Sequence, residues 1–220
     1  MFLKKTMTLQ RFGITGMTAN NNSKAEPSGR KTGVFGGTFN PVHKGHVFIA
    51  NEFLSRLSLD LLLIIPNRIP PLKADKSVSG EDRMNMLKIA FSGTERVEIS
   101  DIELKREGMS YTCDTVAELK RLYPDDELFF LIGDDWAEGF VRWRNYREIL
   151  SNARLVVAKR SGEDIKEALD RLERECGKRP IELNNEMLPL SSGGFREDPK
   201  KEKLPDGVFE YIQEKGLYGI

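Results

Sequence analysis

The sequence predicts an α/β fold, an open and mainly parallel β-sheet with helices on both faces, and two observations carry that prediction. From Thr32 onward, short β-branched or apolar runs alternate with longer amphipathic ones. Several of the short runs are apolar at nearly every position, as interior strands covered on both sides are.

The strands are expected at TGVFG (32–36), DLLLIIP (60–66), RVEISDI (96–102), ELFFLIG (127–133), ARLVVAKR (153–160) and PIELN (180–184). The helices fall between and after them. In HKGHVFIANEFLSRL (43–57), Val47, Ala50, Phe53, Leu54 and Leu57 form one apolar stripe. SGEDRMNMLKIAF (79–91) opens on Ser79 with Asp82 three residues later, the spacing of a capping box. CDTVAELKRLY (113–123), DWAEGFVRWRNYREIL (135–150), SGEDIKEALDRLEREC (161–176) and PDGVFEYIQEKG (205–216) complete the set, the last stopped by Gly216. Two long loops rich in Pro, Gly or Lys, 66–78 and 188–203, are where a fold of this kind places its binding segments.

At 220 residues the chain has room for one domain, expected over 32–220. Lys plus Arg and Asp plus Glu are each 34, so no overall charge excess points to nucleic acid or to an acidic membrane surface. The first 32 residues nevertheless hold Lys4, Lys5, Arg11, Lys24, Arg30 and Lys31 against Glu26 alone. Residues 1–31, with NNNS and EPSG, read as a disordered basic extension; a targeting leader and a true start at Met17 are the alternatives. Cys113 and Cys176 lack metal-binding or redox spacing and read as free thiols in a reducing compartment, so a cytoplasmic protein is expected. No apolar run approaches the roughly 20 residues of a membrane span.

The chemistry concentrates in GGTFNPVHKGH (36–46), which contains both histidines of the chain, His43 and His46. A strand ends there, a glycine pair lets the backbone turn, and a helix begins near residues 41–43. Such a turn lets backbone N–H groups approach an anion, and the helix start adds partial positive charge. Three residues apart on a helix, the two imidazoles share a face. As metal ligands they lack an Asp, Glu, Cys or His at helical spacing; as part of a nucleophile pair they lack a nucleophile elbow. Ordinary structural histidines are the plain alternative, and phosphate binding is the reading best supported.

GGTFNPVHKGH resembles the G-G-[ST]-F-[DN]-P-x-H-x-G-H signature of nucleotidylyltransferases, and residues 33–219 are similar in particular to bacterial nicotinate-nucleotide adenylyltransferases. That likeness runs through PNRIPPLK, DRMNMLKIA, DIELKREGMSYTCDT, FFLIGDDWAEGFVRW, LVVAKR and GVFEYIQEKGLY. It implies a Rossmann-like fold and a reaction in which nicotinate mononucleotide and ATP give deamido-NAD and pyrophosphate. His43 and His46 then face the triphosphate, with Mg²⁺ held mainly by the phosphates. Gly37, Thr38 and Phe39 lie under the ATP phosphates, Gly133 and Asp135 near the adenosine ribose, and Ser191, Ser192 and Arg196 at the β- and γ-phosphates. Lys73, Tyr111, Thr112, Trp143 and Arg144 fall on the acceptor side. Trp136 acquires no role from the likeness and is assigned to core packing. The implied partners are small molecules, with no nucleic acid or membrane, and a homo-oligomer is left open.

Two departures stand out. Leu72 replaces a histidine usual in PPHK. SSGGFR (191–196) replaces S-[ST]-[ST]-x-[IL]-R, losing a hydroxyl and placing two glycines at a helix start, which predicts a mobile ATP-side segment and weakened ATP affinity. Rival readings are a nicotinamide mononucleotide or other phospho-acceptor transferase, and a nucleotide-binding protein without turnover.

Overall fold

A computed structural model of the chain describes residues 29–69, 78–137, 139–160 and 165–220. Within them, strands β1 (Lys31–Gly37), β2 (Leu61–Pro66), β3 (Val97–Ile99), β4 (Glu127–Gly133), β5 (Ala153–Ala158) and β6 (Ile181–Glu182) form one sheet in the order β3-β2-β1-β4-β5-β6. Every pairing is parallel, with Val34 of β1 lying between Leu63 of β2 and Phe130 of β4. The chain builds outward from β1 to one edge, then returns to β4 and builds to the other. Between β1 and β4 the strand order therefore reverses, and crossover connections leaving in opposite directions open a crevice at the C-terminal strand ends. All six strands and the parallel α/β class agree with the sequence expectation.

Period-two alternation explains why the strands are apolar throughout. Phe35, Leu62, Ile64, Phe129, Leu131 and Val156 point into one core, while Val34, Leu63, Ile65, Phe130, Ile132 and Val157 point into the other. Helices α1 (Lys44–Arg56) and α2 (Gly80–Ala90) cover the first core. The four-residue α3 (Ile102–Lys105) follows β3, and α4 (Thr112–Leu122), α5 (Tyr146–Asn152) and α6 (Ile165–Cys176) cover the second. Helices α7 (Ser192–Glu197) and α8 (Val208–Glu214) return to the first core through Phe195, Val208 and Ile212. Gly33 permits the close seat of α1 on β1, since a Cβ there would meet Phe53 Cε1 at 2.9 Å and Leu59 Cδ1 at 2.5 Å. Ser79 caps α2 as anticipated, accepting from the Asp82 N–H at 3.0 Å.

Three stretches differ from expectation, one being the loop expected at 188–203, which holds α7 and a 3₁₀ turn at Lys201–Lys203. The predicted helix 135–150 is instead two 3₁₀ turns, Asp134–Trp136 and Phe140–Arg142, followed by α5. Gly139 lies between the turns, Phe140 plunges fully into the core, and Asn145 at φ 50° resets the chain before α5. β3 is also shorter than 96–102: Arg96 has φ 62°, outside strand geometry, and Ile102 already opens α3. Residues 1–28, most of the predicted extension, and 70–77, with Leu72 and Lys73, lie outside the described residues. Among the described residues no helix is long and apolar enough to cross a membrane.

Candidate active site

At the strand-order reversal the structure opens a cavity of about 770 Å³. Its floor is the exit of β1. Gly36 has no atom within 4 Å of where a Cβ would stand, and Gly37 has no room for one because the Phe39 ring lies 2.9 Å away. Phe39 itself takes φ 48° and is buried, turning the chain sharply toward α1. Arg83 donates to the Thr38 carbonyl at 2.9 Å, and the Asn67 N–H donates to the Gly37 carbonyl at 2.9 Å, so the turn is held from below by α2 and the β2 exit.

His43 is the N-cap of α1 and is buried at 3 % exposure. Its backbone N–H donates to His46 Nδ1 at 3.2 Å. With Nδ1 accepting, the neutral His46 ring carries its proton on Nε2, on a residue that lines the cavity. The two imidazoles stack at 3.7 Å and 28°, and neither ring nitrogen of His43 has a hydrogen-bond partner. Burial, reinforced by the Arg160 guanidinium, pushes His43 down to about 4. Burial, the neighbouring His43 and Arg160 together hold His46 well below its ordinary value. At neutral pH the site thus holds two neutral rings, His43 with both nitrogens unpaired, next to a guanidinium. Leaving buried nitrogens unpaired costs about 1–3 kcal/mol each, a cost that an anionic ligand can remove.

The SSGGFR segment closes the same side. Ser191 caps α7 by accepting from the Gly194 N–H at 3.0 Å. Ser192 Oγ donates to the Pro41 carbonyl at 2.9 Å, and Arg196 Nη1 donates to the Asn40 carbonyl at 2.6 Å. From the C-terminal turn, Tyr218 OH donates to Asn40 Oδ1 at 2.6 Å. The segment expected to be mobile is therefore fastened onto the β1–α1 turn, with Phe195 fully buried beneath it. The Ser192 proton already has an acceptor inside the protein, so a phosphate contact requires that hydroxyl to turn.

On the opposite side, Tyr111 and Thr112 form the start of α4 and line the cavity with Trp143 and Arg144. The Arg144 guanidinium lies 4.6 Å over the Tyr111 ring. Behind them Arg106 Nη2 donates to Thr115 Oγ1 at 2.6 Å, and Thr115 donates to the buried carboxylate of Glu103 at 2.6 Å. That relay ties the 103–106 segment to α4. Gly133 and Asp135 sit at the exit of β4, where a Cβ on Gly133 would meet Arg160 Cδ at 2.7 Å, and Asp135 lies 3.8 Å from Arg160 Nη1.

Of the residues singled out from sequence, Gly37, Thr38, Phe39, His46, Tyr111, Thr112, Gly133, Trp143, Arg144, Ser191, Ser192 and Arg196 line this one cavity. His43 lies under it against His46, and Asp135 beside it against Arg160. Sequence reasoning missed Arg160, Glu103 and Asn67; Trp136, assigned to core packing, does pack against the second core, and it is half-buried and also lines the cavity. Arg160 was findable, standing just past a strand end on the crevice side. Glu103 was not, because nothing in its neighbourhood of sequence marks it as buried.

A doubly wound sheet with an anion cradle at its reversal point and an aromatic pocket opposite defines a nucleotide-handling α/β protein. The family model described as cytidylyltransferase-like matches residues 34–198. The chain is 40% identical over 195 residues to a probable nicotinate-nucleotide adenylyltransferase of Geobacillus thermodenitrificans, covering 86% of each chain. It is 36% identical to the nicotinate-nucleotide adenylyltransferase of Bacillus subtilis, covering 86% of this chain and 98% of that one. The chain belongs to the cytidylyltransferase-like family, in the branch of the nicotinate-nucleotide adenylyltransferases. In fold it is similar to the Plasmodium falciparum nicotinic acid mononucleotide adenylyltransferase solved with NaAD, with a TM-score of 0.71 at 18% identity over 86% of this chain and 98% of that one.

Proposed function

We propose that the protein transfers the adenylyl group of ATP to nicotinate mononucleotide, in the cytoplasm, giving deamido-NAD and pyrophosphate. The observation that carries this reading is the stacked, neutral imidazole pair in which His46 lines the same cavity as the Tyr111, Trp143 and Arg144 pocket and His43 lies beneath it with both ring nitrogens unpaired.

The acceptor phosphate has a second pKa of about 6 and is already an anion at neutral pH, so no general base is needed. An oxygen of that phosphate attacks the α-phosphorus in line, the bond from the α-phosphorus to the bridging oxygen breaks, and pyrophosphate leaves with the electron pair. What the protein supplies is alignment and charge stabilisation. His46 donates through Nε2–H to the phosphate chain, Arg160 and Arg196 face it from β5 and α7, and the glycine turn brings backbone N–H groups close. The negative charge of the triphosphate opposes the lowering that burial and Arg160 impose on both rings. A Mg²⁺ ion held mainly by the ATP phosphates would supply charge neutralisation on the pyrophosphate.

On the acceptor side, Trp143 stacks on the pyridine ring while the start of α4 and Arg144 take the carboxylate. Arg142 and Arg144 at the pocket favour the acid over the amide. The test is an assay for pyrophosphate with MgATP and nicotinate mononucleotide. No release rejects the proposal, and a higher kcat/KM with nicotinamide mononucleotide moves the acceptor to the amide.

A further inference from the structure

The chain has two tryptophans, Trp136 and Trp143, seven residues apart. On one continuous helix that spacing sets the residues about 10 Å apart along the axis. The break between the two 3₁₀ turns instead brings the ring centroids to 5.9 Å at 74°. Trp143 also meets Phe140 at 5.4 Å and Phe130 at 6.2 Å, so three aromatic neighbours set its plane. Two of them, Phe130 and Phe140, are buried core residues. Trp136 is different, being half-buried with part of its surface in the cavity. Its ring packs against the second core and also presents surface to the cavity.

The acceptor ring has the chemistry to explain it. An N-ribosylated pyridine is flat and formally cationic, and aromatic faces attract such a ring most strongly where water is excluded. Trp143 has its indole N–H buried without a hydrogen-bond partner, and Arg144 stands over Tyr111 within reach of an acidic substituent.

We infer that Trp136 is a positioning and specificity residue of the acceptor subsite, fixing the plane of Trp143 by edge-to-face contact and adding a second aromatic wall that selects a flat, cationic, N-substituted pyridine. The inference rests on the acceptor proposed above.

Trp136→Leu and Trp136→Phe are compared with wild type by steady-state kinetics in both substrates and by near-ultraviolet circular dichroism during titration with nicotinate mononucleotide alone. In wild type the two-indole signal changes as the mononucleotide binds. Trp136→Leu raises the acceptor KM about tenfold, leaves the ATP KM within about twofold, and Trp136→Phe recovers most of the loss. An unchanged acceptor KM in Trp136→Leu, or a parallel rise in both KM values, overturns the inference. Wild-type turnover separates the two claims: absent pyrophosphate release sinks the proposed function, whereas turnover with an unaltered Trp136→Leu acceptor KM sinks only the role of Trp136.

Discussion

The two walls of the cavity are built by different means. The proposed acceptor wall is aromatic: Tyr111 comes from the start of α4, which the Arg106–Thr115–Glu103 relay backs, and Trp136 and Trp143 from the 3₁₀ turns that follow β4. The nucleotide wall is assembled across the chain, the Asn40–Pro41 turn being gripped by Ser192, Arg196 and Tyr218 from more than 150 positions away in sequence. Pocket selectivity can be tuned on the first wall by single side chains. The second wall depends on long-range closure, with Ser192 and Arg196 engaged with backbone carbonyls and His43 unpaired beneath the cavity. Each way of disturbing the second wall leaves a separate kinetic signature.

The largest effect is expected for His46→Ala. It removes the Nε2–H donor and the Nδ1 acceptor that orders the start of α1, and kcat falls about 10²- to 10³-fold. Pyrophosphate release measured under saturating acceptor checks this, and retention of more than a tenth of wild-type kcat would remove His46 from the reaction. Next comes Arg196→Ala, which deletes a charged hydrogen bond to the Asn40 carbonyl worth about 1.5–3 kcal/mol. The ATP KM is expected to rise at least about tenfold while the acceptor KM stays within about twofold. Equal rises in both would show that the two walls are not separable.

A third prediction concerns pH. His43 in the folded protein is lowered from 6.5 to about 4. The unfolded chain therefore binds the proton first, so stability is full above pH 6.5 and is lost as pH falls toward 4. Between pH 7 and 5 the share of this one residue is about 2 kcal/mol. Denaturant unfolding at the two pH values measures it, with His43→Asn as the reference that cancels the carboxylates. A pH dependence identical in both proteins would mean that His43 titrates normally. Bound ATP should flatten the wild-type curve, because the triphosphate favours the protonated ring that burial disfavours.

The same contrast sets what could be read from sequence. The strand pattern was legible because covered strands need apolar residues on both faces, and the cradle was legible because its glycines and histidines are contiguous. The broken helix at 134–142 was not, since amphipathic spacing is compatible with a continuous helix and only the burial of Phe140 and the turn at Asn145 decide otherwise. Trp136 was assigned to core packing because the likeness gives it no role; it does pack against the second core, and it also lines the cavity. Arg160, Glu103 and the Ser192–Pro41 contact depend on pairings across the sheet or across the domain, which no local pattern records.

The smallest predicted effect tests the nucleotide wall at its least ordinary point, the glycine pair of α7. Neither Gly193 nor Gly194 has a positive φ, so an L-residue suits the backbone at both. They differ in surroundings: a Cβ on Gly194 would approach Ser191 Oγ at 3.2 Å, crowding the cap, whereas on Gly193 that oxygen is 3.9 Å away. Gly193→Ser should therefore enter without displacing a neighbour, reduce the entropic cost of ordering the first turn of α7 by roughly 0.5–1 kcal/mol, and return a hydroxyl to a residue lining the cavity. The ATP KM is expected to fall about two- to fivefold with the acceptor KM unchanged, and the midpoint of unfolding to rise slightly. An unaltered ATP KM would mean that Ser192, Arg196 and Phe195 already hold the segment in its binding conformation, so that SSGGFR costs the enzyme nothing in nucleotide affinity.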